Sequence, residues 1–267
     1  MKRAGYLVAV LFLLACDDQE KKKAELLAKA GVEAGPPASA TGVNVVPPPA
    51  VSSAPPPAKP PKDCGTGDPV IDDPDMEAEL RLKLSKPKDK SPDPLTAKDL
   101  AKVTSVNLTK KESLAELDPC IFPKLTGLKF LYLPKGEYRD LTPIANLTKL
   151  EALRASISEV SDLKPLEKLT ALDQLDLGRT HVRDISALEN NVNITELSLD
   201  DTQVSDIAAL AKLTKLQKLS LKNTLVSDVS PLKDLKSLRV LDLAGTAINN
   251  LNLLDPLRAK GLKIQTK

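Results

Sequence analysis

An evenly spaced row of aspartates is the feature of this sequence that most resembles a reactive site. The row has one carboxylate every 22 residues: Asp140, Asp162, Asp184, Asp206 and Asp228. Aligned carboxylates can exchange protons with a substrate as general acids and bases. Each aspartate, however, precedes three apolar residues spaced by three, where its side chain can accept a backbone N–H bond and cap a short 3₁₀ or helical turn. We therefore interpret the row as structural.

The single histidine, His181, does not complete a catalytic or metal-binding set. It lies in a turn, with no cysteine nearby and no partner at the spacing that metal ligands show. The sequence also contains no phosphate-binding loop, metal-binding motif or nucleophile elbow. We therefore expect a protein that is not an enzyme, with no catalytic residues, no metal, no cofactor and no small-molecule substrate.

A repeat of constant length must position these residues. Six units begin 22 residues apart, at Leu128, Leu150, Leu172, Ile194, Leu216 and Leu238. Within each unit, apolar residues occupy positions 1, 4, 6, 11, 14, 17 and 20, and only Ala155 at position 6 and Asn191 at position 20 lack a large apolar side chain. Positions 4 and 6 share one face of a short strand because strand side chains alternate. One unit cannot bury its own leucines, so neighbouring units must stack.

The repeat predicts an α/β leucine-rich-repeat solenoid. Short parallel strands, about 4.8 Å apart, would line the concave face, and 3₁₀ or helical turns would form the convex face. Threonines follow the strands at position 9, where their hydroxyls can satisfy backbone groups; these are Thr180, Thr202, Thr224 and Thr246. Val103, Val106 and Leu108 begin an irregular first repeat, so we place the repeats at 103–267, with regular units from residue 128.

The repeat resembles that of a known bacterial family. The run Leu219-Ser220-Leu221, followed by Val226-Ser227-Asp228-Val229, is similar to the repeats of the internalins. The resemblance covers about residues 70–267 and implies the family's fold and its use of the concave face for protein recognition. Threonine stands at position 9, where internalins usually carry asparagine, and the repeats are few. We therefore do not extend the family's role in host-cell invasion to this chain.

The segment before the repeats resembles the helical N-terminal cap of the same family. Pro74 suits the first position of a helix that continues over residues 76–84, because its missing N–H costs little there. Thr96 and Asp99 have the spacing of a capping box at the start of a second helix. We therefore assign the small helical cap to residues 64–102.

The concave face is the predicted binding surface. Side chains at positions 3, 5 and 7 of each unit should project from it, and from them we select nine candidate partner-binding residues: Phe130, Tyr132, Arg154, Asp176, Glu196, Ser198, Asp200, Lys218 and Lys222. Phe130 and Tyr132 stand apart, because only four aromatic residues follow residue 15 and two of them point outward from one strand. This pair is either an exposed recognition anchor or is packed under the cap.

Residues 1–15 have the pattern of a signal peptide. A basic start is followed by an apolar run that is too short for a stop-transfer helix. The tetrad Leu13-Leu14-Ala15-Cys16 resembles the bacterial lipobox, which implies that Cys16 becomes the first mature residue and carries two or three acyl chains. The alternatives are an ordinary secretion signal and a buried core cysteine. We expect an exported protein, lipid-anchored to a bacterial membrane on the periplasmic side or at the cell surface.

The segment of residues 16–63 combines the lipidated cysteine with a stalk rich in proline and alanine. Such a composition cannot bury enough apolar area to offset its ordering entropy, so we expect a disordered spacer. A proline-rich ligand for a recognition module is the alternative interpretation.

Cys64 and Cys120 are the cysteines that remain once Cys16 is lipidated. An even number of cysteines in an exported chain favours a disulfide between them over two buried free thiols. The bond would join the start of the cap to the irregular first repeat. Closing this loop would stabilise the fold by about 4 kcal/mol in the chain-entropy treatment.

Composition limits the classes of partner. The net charge of +2 comes from Lys2 and Arg3, and the rest of the chain has 36 basic and 36 acidic side chains, so we expect no nucleic-acid binding. Together the features predict a monomeric, membrane-anchored module of the bacterial cell envelope that binds a protein, as yet unknown, through its concave face. The alternative is a structural envelope component that self-assembles or associates with cell-wall polymer.

Overall fold

Parallel strands of three residues each form one sheet in which spatial order follows sequence order. The structure is a computed structural model that describes residues 62–65, 67–88, 90 and 93–267. The predicted signal peptide, Cys16 and nearly all of the predicted stalk lie outside the described residues. Within those residues the strands are β1 (Ser105–Asn107), β2 (Phe130–Tyr132), β3 (Ala152–Arg154), β4 (Gln174–Asp176), β5 (Glu196–Ser198), β6 (Lys218–Ser220), β7 (Val240–Asp242) and β8 (Lys263–Gln265). This order confirms the predicted leucine-rich-repeat solenoid.

The strands pair without any slip in register. Leu131 at the centre of β2 pairs with Leu153 of β3, which pairs in turn with Leu175 of β4. In β2 and in β4 to β7 the central side chain is buried, whereas its two neighbours are half-buried. Since alternate side chains of a strand face opposite sides, the leucines enter the core and their neighbours form the concave face.

Short 3₁₀ helices connect the strands on the convex side: Phe122–Lys124, Thr142–Ile144, Lys164–Leu166, Ser186–Leu188, Ala208–Lys212, Ser230–Leu232 and Leu251–Leu254. Pro143, Pro165 and Pro231 lie in the first turn of three of them, as expected for a residue without an N–H group. A short α-helix, Asp255–Arg258, precedes β8. No helix in the described ranges has the length and apolar character needed to cross a membrane.

The repeated aspartates and threonines have structural roles, although the aspartates lie one residue before the cap position that was predicted for them. Each aspartate of position 13 accepts the backbone N–H two residues later at 2.7 or 2.8 Å, as Asp206 does from Ala208. The carboxylate therefore closes an Asx turn just ahead of the cap position. Each threonine of position 9 donates its hydroxyl to the carbonyl three residues earlier, as Thr202 does to Leu199 at 2.6 Å. The acidic row is part of the fold.

The core is a continuous aliphatic layer with two buried aromatic rings, Phe122 and Tyr138. The Tyr138 hydroxyl donates to the carbonyl of Pro134 at 3.2 Å, and burial raises the pKa of Tyr138 to about 12. The phenol is therefore a neutral hydrogen-bond donor at all physiological pH values.

Asn191 is the exception in this core. Its side chain is 0% exposed, and Nδ2 donates to the carbonyls of Leu166 and Leu169 at 3.2 and 2.9 Å. Both carbonyls already accept a backbone N–H. The Asn191 Oδ1 atom has no partner within the described structure, and a buried oxygen without a hydrogen bond costs about 1–3 kcal/mol.

Helix α1 (Pro74–Lys83) closes the N-terminal edge of the sheet. Asp73 caps it by accepting the N–H of Met76 at 3.2 Å. The Glu79 side chain accepts the N–H of Asn107 in β1 at 3.0 Å. A side chain therefore occupies part of the edge that another strand would otherwise use.

Helix α2 (Ala97–Leu100) begins with the predicted capping box. The Thr96 hydroxyl accepts the N–H of Asp99, and the Asp99 carboxylate accepts the N–H of Thr96, both at 3.2 Å. Lys86 donates to the same carboxylate at 2.9 Å. The box thus fastens the loop between the two helices as well as the start of α2.

Acid is expected to release this cap before the repeats unfold. Hydrogen bonds from Lys86 and Thr96 lower the pKa of Asp99 to about 2, and Arg81 and Lys88 lower the pKa of Glu77. A depressed carboxyl pKa contributes stability that is complete above about pH 4 and is lost as the pH falls through the folded-state value. Amide hydrogen exchange, corrected for intrinsic rates, should accelerate in α1 and α2 between about pH 4 and pH 2 while β4 to β6 stay protected. Simultaneous loss of protection in both regions would contradict this.

A disulfide bond joins Cys64 to Cys120, whose Cα atoms are 5.2 Å apart. Beside it, the Lys62 ammonium lies 2.9 Å from the carboxylates of both Asp72 and Asp118. Hydrogen bonds to these carboxylates raise the pKa of Lys62 above its usual range. These ties hold the start of the described chain against the irregular first repeat.

The irregular repeat meets the first regular unit at Gly136. Gly136 forms a parallel bridge with Leu114, and a Cβ atom at Gly136 would lie 1.9 Å from the Leu114 carbonyl oxygen. The two backbones can approach this closely only because residue 136 has no side chain.

Candidate functional site

Two rows of side chains cross the concave face. The row formed by the first residue of each strand from β2 to β7 runs through Phe130, Ala152, Gln174, Glu196, Lys218 and Val240. The row formed by the third residue of the same six strands runs through Tyr132, Arg154, Asp176, Ser198, Ser220 and Asp242. Seven of the nine predicted partner-binding residues lie in these rows. The structure therefore places them on one surface.

The charged residues of this surface pair with one another across neighbouring strands. The Arg154 guanidinium is 3.4 Å from the Asp176 carboxylate, and Lys218 is 2.8 Å from Glu196. Position-matched opposite charges on adjacent strands stabilise the sheet by a few tenths of a kcal/mol. Because these opposite charges pair with each other, the surface has little net charge. It offers a partner mainly groups that can form hydrogen bonds.

Phe130 and Tyr132 lie side by side on β2 at the N-terminal end of the face. Both side chains are half-buried, so the cap does not cover them completely. Partial burial raises the pKa of Tyr132, which keeps the phenol neutral. Ala152 is opposite Phe130 and Arg154 is opposite Tyr132 in the adjacent strand. The result is an aromatic platform bordered by a cation, with Ala152 buried beside it.

Position 7 adjoins the row formed by the third residue of each strand, but in four of the six units the residue at this position is buried. These are Pro134, Ser156, Gly178 and Ala244; the Ser156 hydroxyl still accepts a hydrogen bond at 3.2 Å from Arg154 on the concave face. At the same position Lys222 is half-buried.

The half-buried Asp200, also at position 7, is held by the next unit. It accepts the Ser220 hydroxyl and, at 3.0 Å, the N–H of Lys222. Burial raises the pKa of Asp200, and the nearby Asp242 and Asp176 carboxylates act in the same direction. Asp200 therefore links two neighbouring units. Its carboxylate already accepts hydrogen bonds, so it is less able to bind a partner than was predicted.

His181 is exposed, as expected of a turn residue, and its Nε2 atom lies 3.1 Å from the Glu159 carboxylate. This neighbour, one repeat earlier, was not foreseen. In the part of the chain that the structure describes, no group of three or more His, Cys, Asp or Glu side chains could hold a metal ion.

A column of left-handed residues was missed by the sequence reasoning. Position 8 has a φ of 54–58° in Ile157, Arg179, Asp201 and Asn223, and 72° in Gly245. The last three residue types are those that tolerate this conformation best. Asp, Asn and Gly at position 8 of three successive repeats are the sequence signal that could have predicted the left-handed turn at this position. Ile157 gives the opposite signal, because β-branched residues rarely adopt positive φ.

Comparison with known proteins agrees with this architecture. A profile described as leucine-rich repeats in two copies matches residues 192–234 and 214–259. No sequence among the curated proteins matches the chain. Leucine-rich repeats are typical of protein–protein interaction modules and are generally not enzymes.

Several solved structures are similar. An internalin of Listeria monocytogenes (inlF) is 24% identical with a TM-score of 0.59, and the match covers 74% of this chain and 63% of the internalin. This chain thus spans less than two thirds of that protein. Internalin C2 of the same species is 22% identical with a TM-score of 0.62, over 77% of this chain and 100% of the other. A leucine-rich-repeat protein of Leptospira interrogans is 20% identical with a TM-score of 0.51, over 64% and 51%.

These likenesses concern the fold, because each identity is below 25%. The repeat profile, the strand order and the structural neighbours point to the same architecture. The chain is a leucine-rich-repeat solenoid whose fold is similar to that of the internalins.

Proposed function

We propose that this protein binds a protein partner through its concave face, with the aromatic platform as the anchor. The aromatic platform consists of Phe130, Tyr132 and Arg154; Ala152, opposite Phe130, is buried. The observation that carries the proposal is that two aromatic side chains, in a protein with few aromatic residues, lie half-buried on the open face of the sheet and outside the core. A fold that only needed stability would gain more by burying both rings completely.

The energetics of protein interfaces favour this end of the face. Aromatic and arginine side chains supply most of the binding energy in typical interfaces, whereas charged pairs at the margin contribute little. The Arg154–Asp176 and Lys218–Glu196 pairs are already formed in the free protein. A partner can therefore use them for orientation without having to order isolated charges.

Alanine at Tyr132 or Phe130 is expected to weaken partner binding by about 30-fold each, since an anchor residue contributes about 2 kcal/mol. The measurement is the yield of a discrete heterologous cross-linked product in intact cells. The matched control is Leu225→Ala, which removes another apolar side chain, 65% exposed, that lies outside the face. An unchanged product in both aromatic variants would contradict the proposal. A ladder of self-adducts without any other protein would instead support the self-assembling envelope component.

We also propose that the solenoid is exported and held at a bacterial membrane through lipid on Cys16. The support is the basic and apolar start of the sequence and the tetrad that ends at Cys16. Cys16→Ala should abolish incorporation of labelled fatty acid and release the protein from the membrane fraction. Membrane fractionation that is unchanged, together with no acyl label on the original chain, would exclude the anchor.

A further inference from the structure

A cavity of about 290 Å³ opens on the flank of the solenoid that the chain crosses after leaving the strands. We call it the flank pocket; it is lined by Ser113, Lys135, Gly136, Ile157, Ser158, Glu159, Arg179 and His181. Four successive repeats contribute to it, so its shape depends on the stacking of units. Its volume is just below the usual range for ligand pockets, about 300–1,000 Å³, and suits a single residue.

The apolar wall of the flank pocket carries conformational strain. Ile157 has a φ of 58° and is 42% exposed. A β-branched side chain is strained in this conformation, and the same column holds the tolerant residues Asp201, Asn223 and Gly245 in later repeats. Stability alone would favour one of those types at position 157. Strain of this kind is a pointer to function, because it is retained where a particular side chain is needed.

The rest of the pocket has an excess of positive charge. Among the described residues, the Lys135 side chain has no recorded hydrogen bond or ion pair. The Arg179 guanidinium lies 3.5 Å from the Asp201 carboxylate, at the limit of a useful ion pair. Glu159 is the single carboxylate of the lining and is paired with His181 at 3.1 Å. Two permanent cations thus border an exposed apolar side chain.

We propose that the flank pocket binds the C-terminal residue of a peptide, with the terminal carboxylate on Lys135 and Arg179 and an apolar side chain on Ile157. Lys135 and Arg179 lie one repeat to either side of Ile157, so the backbone of each is about 5 Å from that of Ile157, as in any parallel ladder. A C-terminal residue carries its carboxylate and its side chain on one Cα atom, so both contacts fit this short span. An internal aspartate or glutamate has no apolar group on the same residue.

N-acetyl-leucine is the probe that tests the site, used with the full chain labelled with ¹⁵N. Saturable chemical-shift changes should be confined to the amides around Gly136, Ser158 and Arg179. N-acetyl-leucine amide and acetate should each bind at least about tenfold more weakly, since each lacks one of the two contacts. Equal responses to acetate and to N-acetyl-leucine would show an adventitious anion site, and no localised shifts would show no site; either result overturns the proposal.

Ile157→Asn separates binding from stability. Asparagine tolerates the left-handed conformation, so the variant should melt about 2–4 °C higher than the parent while its affinity for the probe falls at least about fivefold. The matched control is Asn223→Ile, which puts the strained residue into the same column outside the pocket and should melt lower with unchanged probe affinity. Undiminished binding by a folded Ile157→Asn variant would overturn the proposal.

The cationic half of the site has its own matched pair. Arg179→Gln and Asp201→Asn both remove the same ion pair, but only the first removes the cation. Probe binding should be lost in Arg179→Gln and kept in Asp201→Asn, and equal losses would refute a carboxylate contact. Because Tyr132→Ala leaves the flank pocket intact, probe binding to that variant distinguishes failure of the flank pocket from failure of the concave face.

Discussion

Replacing Cys64 with serine is expected to lower the free energy of unfolding by about 4 kcal/mol. The bond to Cys120 closes a loop with a sequence separation of 56 residues, which greatly restricts the unfolded chain. Cys64 is exposed, whereas Cys120 is buried, so the change at Cys64 removes the cross-link without leaving a cavity. For a solenoid of this size the loss corresponds to a melting temperature lower by about 8–16 °C.

Thermal unfolding monitored by circular dichroism checks this value. Lys62→Gln is the matched control, because it removes the ion pairs with Asp72 and Asp118 beside the disulfide but keeps the covalent bond. Exposed pairs of this kind contribute at most about 1 kcal/mol, so this variant should melt close to the parent. A Cys64→Ser protein that melts within 2 °C or so of the parent would show that the cross-link does not limit unfolding.

Leu213→Asn is expected to destabilise the protein by about 2–4 kcal/mol, and Asn191→Leu to stabilise it by about 1–2 kcal/mol. The two residues occupy position 20 of adjacent repeats, and both are fully buried. Leucine at 191 removes the unpaired Oδ1 atom, and the carbonyls of Leu166 and Leu169 keep their backbone N–H donors. Asparagine at position 213 has the opposite effect, because it removes a buried leucine side chain and buries a polar amide in its place.

Urea denaturation gives both free energies in one experiment. The double variant Asn191→Leu/Leu213→Asn exchanges the residues between repeats, and its departure from the sum of the single changes should exceed about 0.5 kcal/mol, because position 20 of one repeat contacts position 20 of the next. A destabilised Asn191→Leu variant would mean that the asparagine hydrogen bonds stabilise the fold by more than the lost oxygen contact costs.

The parts of the fold that follow from local chemistry could be predicted from the sequence. Asp206 accepts the N–H of Ala208, and Asp99 and Thr96 cap α2, because each bond joins residues two or three apart. The repeat length determined the register of the strands, since every unit places a leucine such as Leu175 in the same position. The position of a residue within its own unit is sufficient to predict each of these contacts.

Contacts between units could not be predicted in the same way. The pairing of Arg154 with Asp176 compensates charges that the sequence offers as independent binding groups. The burial of position 7 in four units involves neighbouring side chains of the concave face, such as Arg154, which donates to Ser156. The strain at Ile157 and the unpaired oxygen of Asn191 are departures from the repeat pattern. Their cost in stability depends on the surroundings that the neighbouring repeats provide, which only the structure shows.

The two proposed surfaces would give the solenoid separate tasks. The aromatic platform is on the concave face, whereas the flank pocket lies on the flank that the chain crosses after leaving the strands. Both lie near the N-terminal end of the repeats, where the cap and disulfide stabilise the structure. A rigid scaffold at this end would reduce the ordering cost of binding at either surface.

Site-specific photo-cross-linking is the most direct test of binding through the concave face. A photoreactive amino acid replaces Ser198 on the concave face in one variant and Lys233 on the convex turn in another, and both variants are irradiated in intact cells. Concave-face binding predicts a discrete adduct with another protein from position 198 and none from position 233. An adduct only from position 233, or adducts only with further copies of this chain, would contradict it.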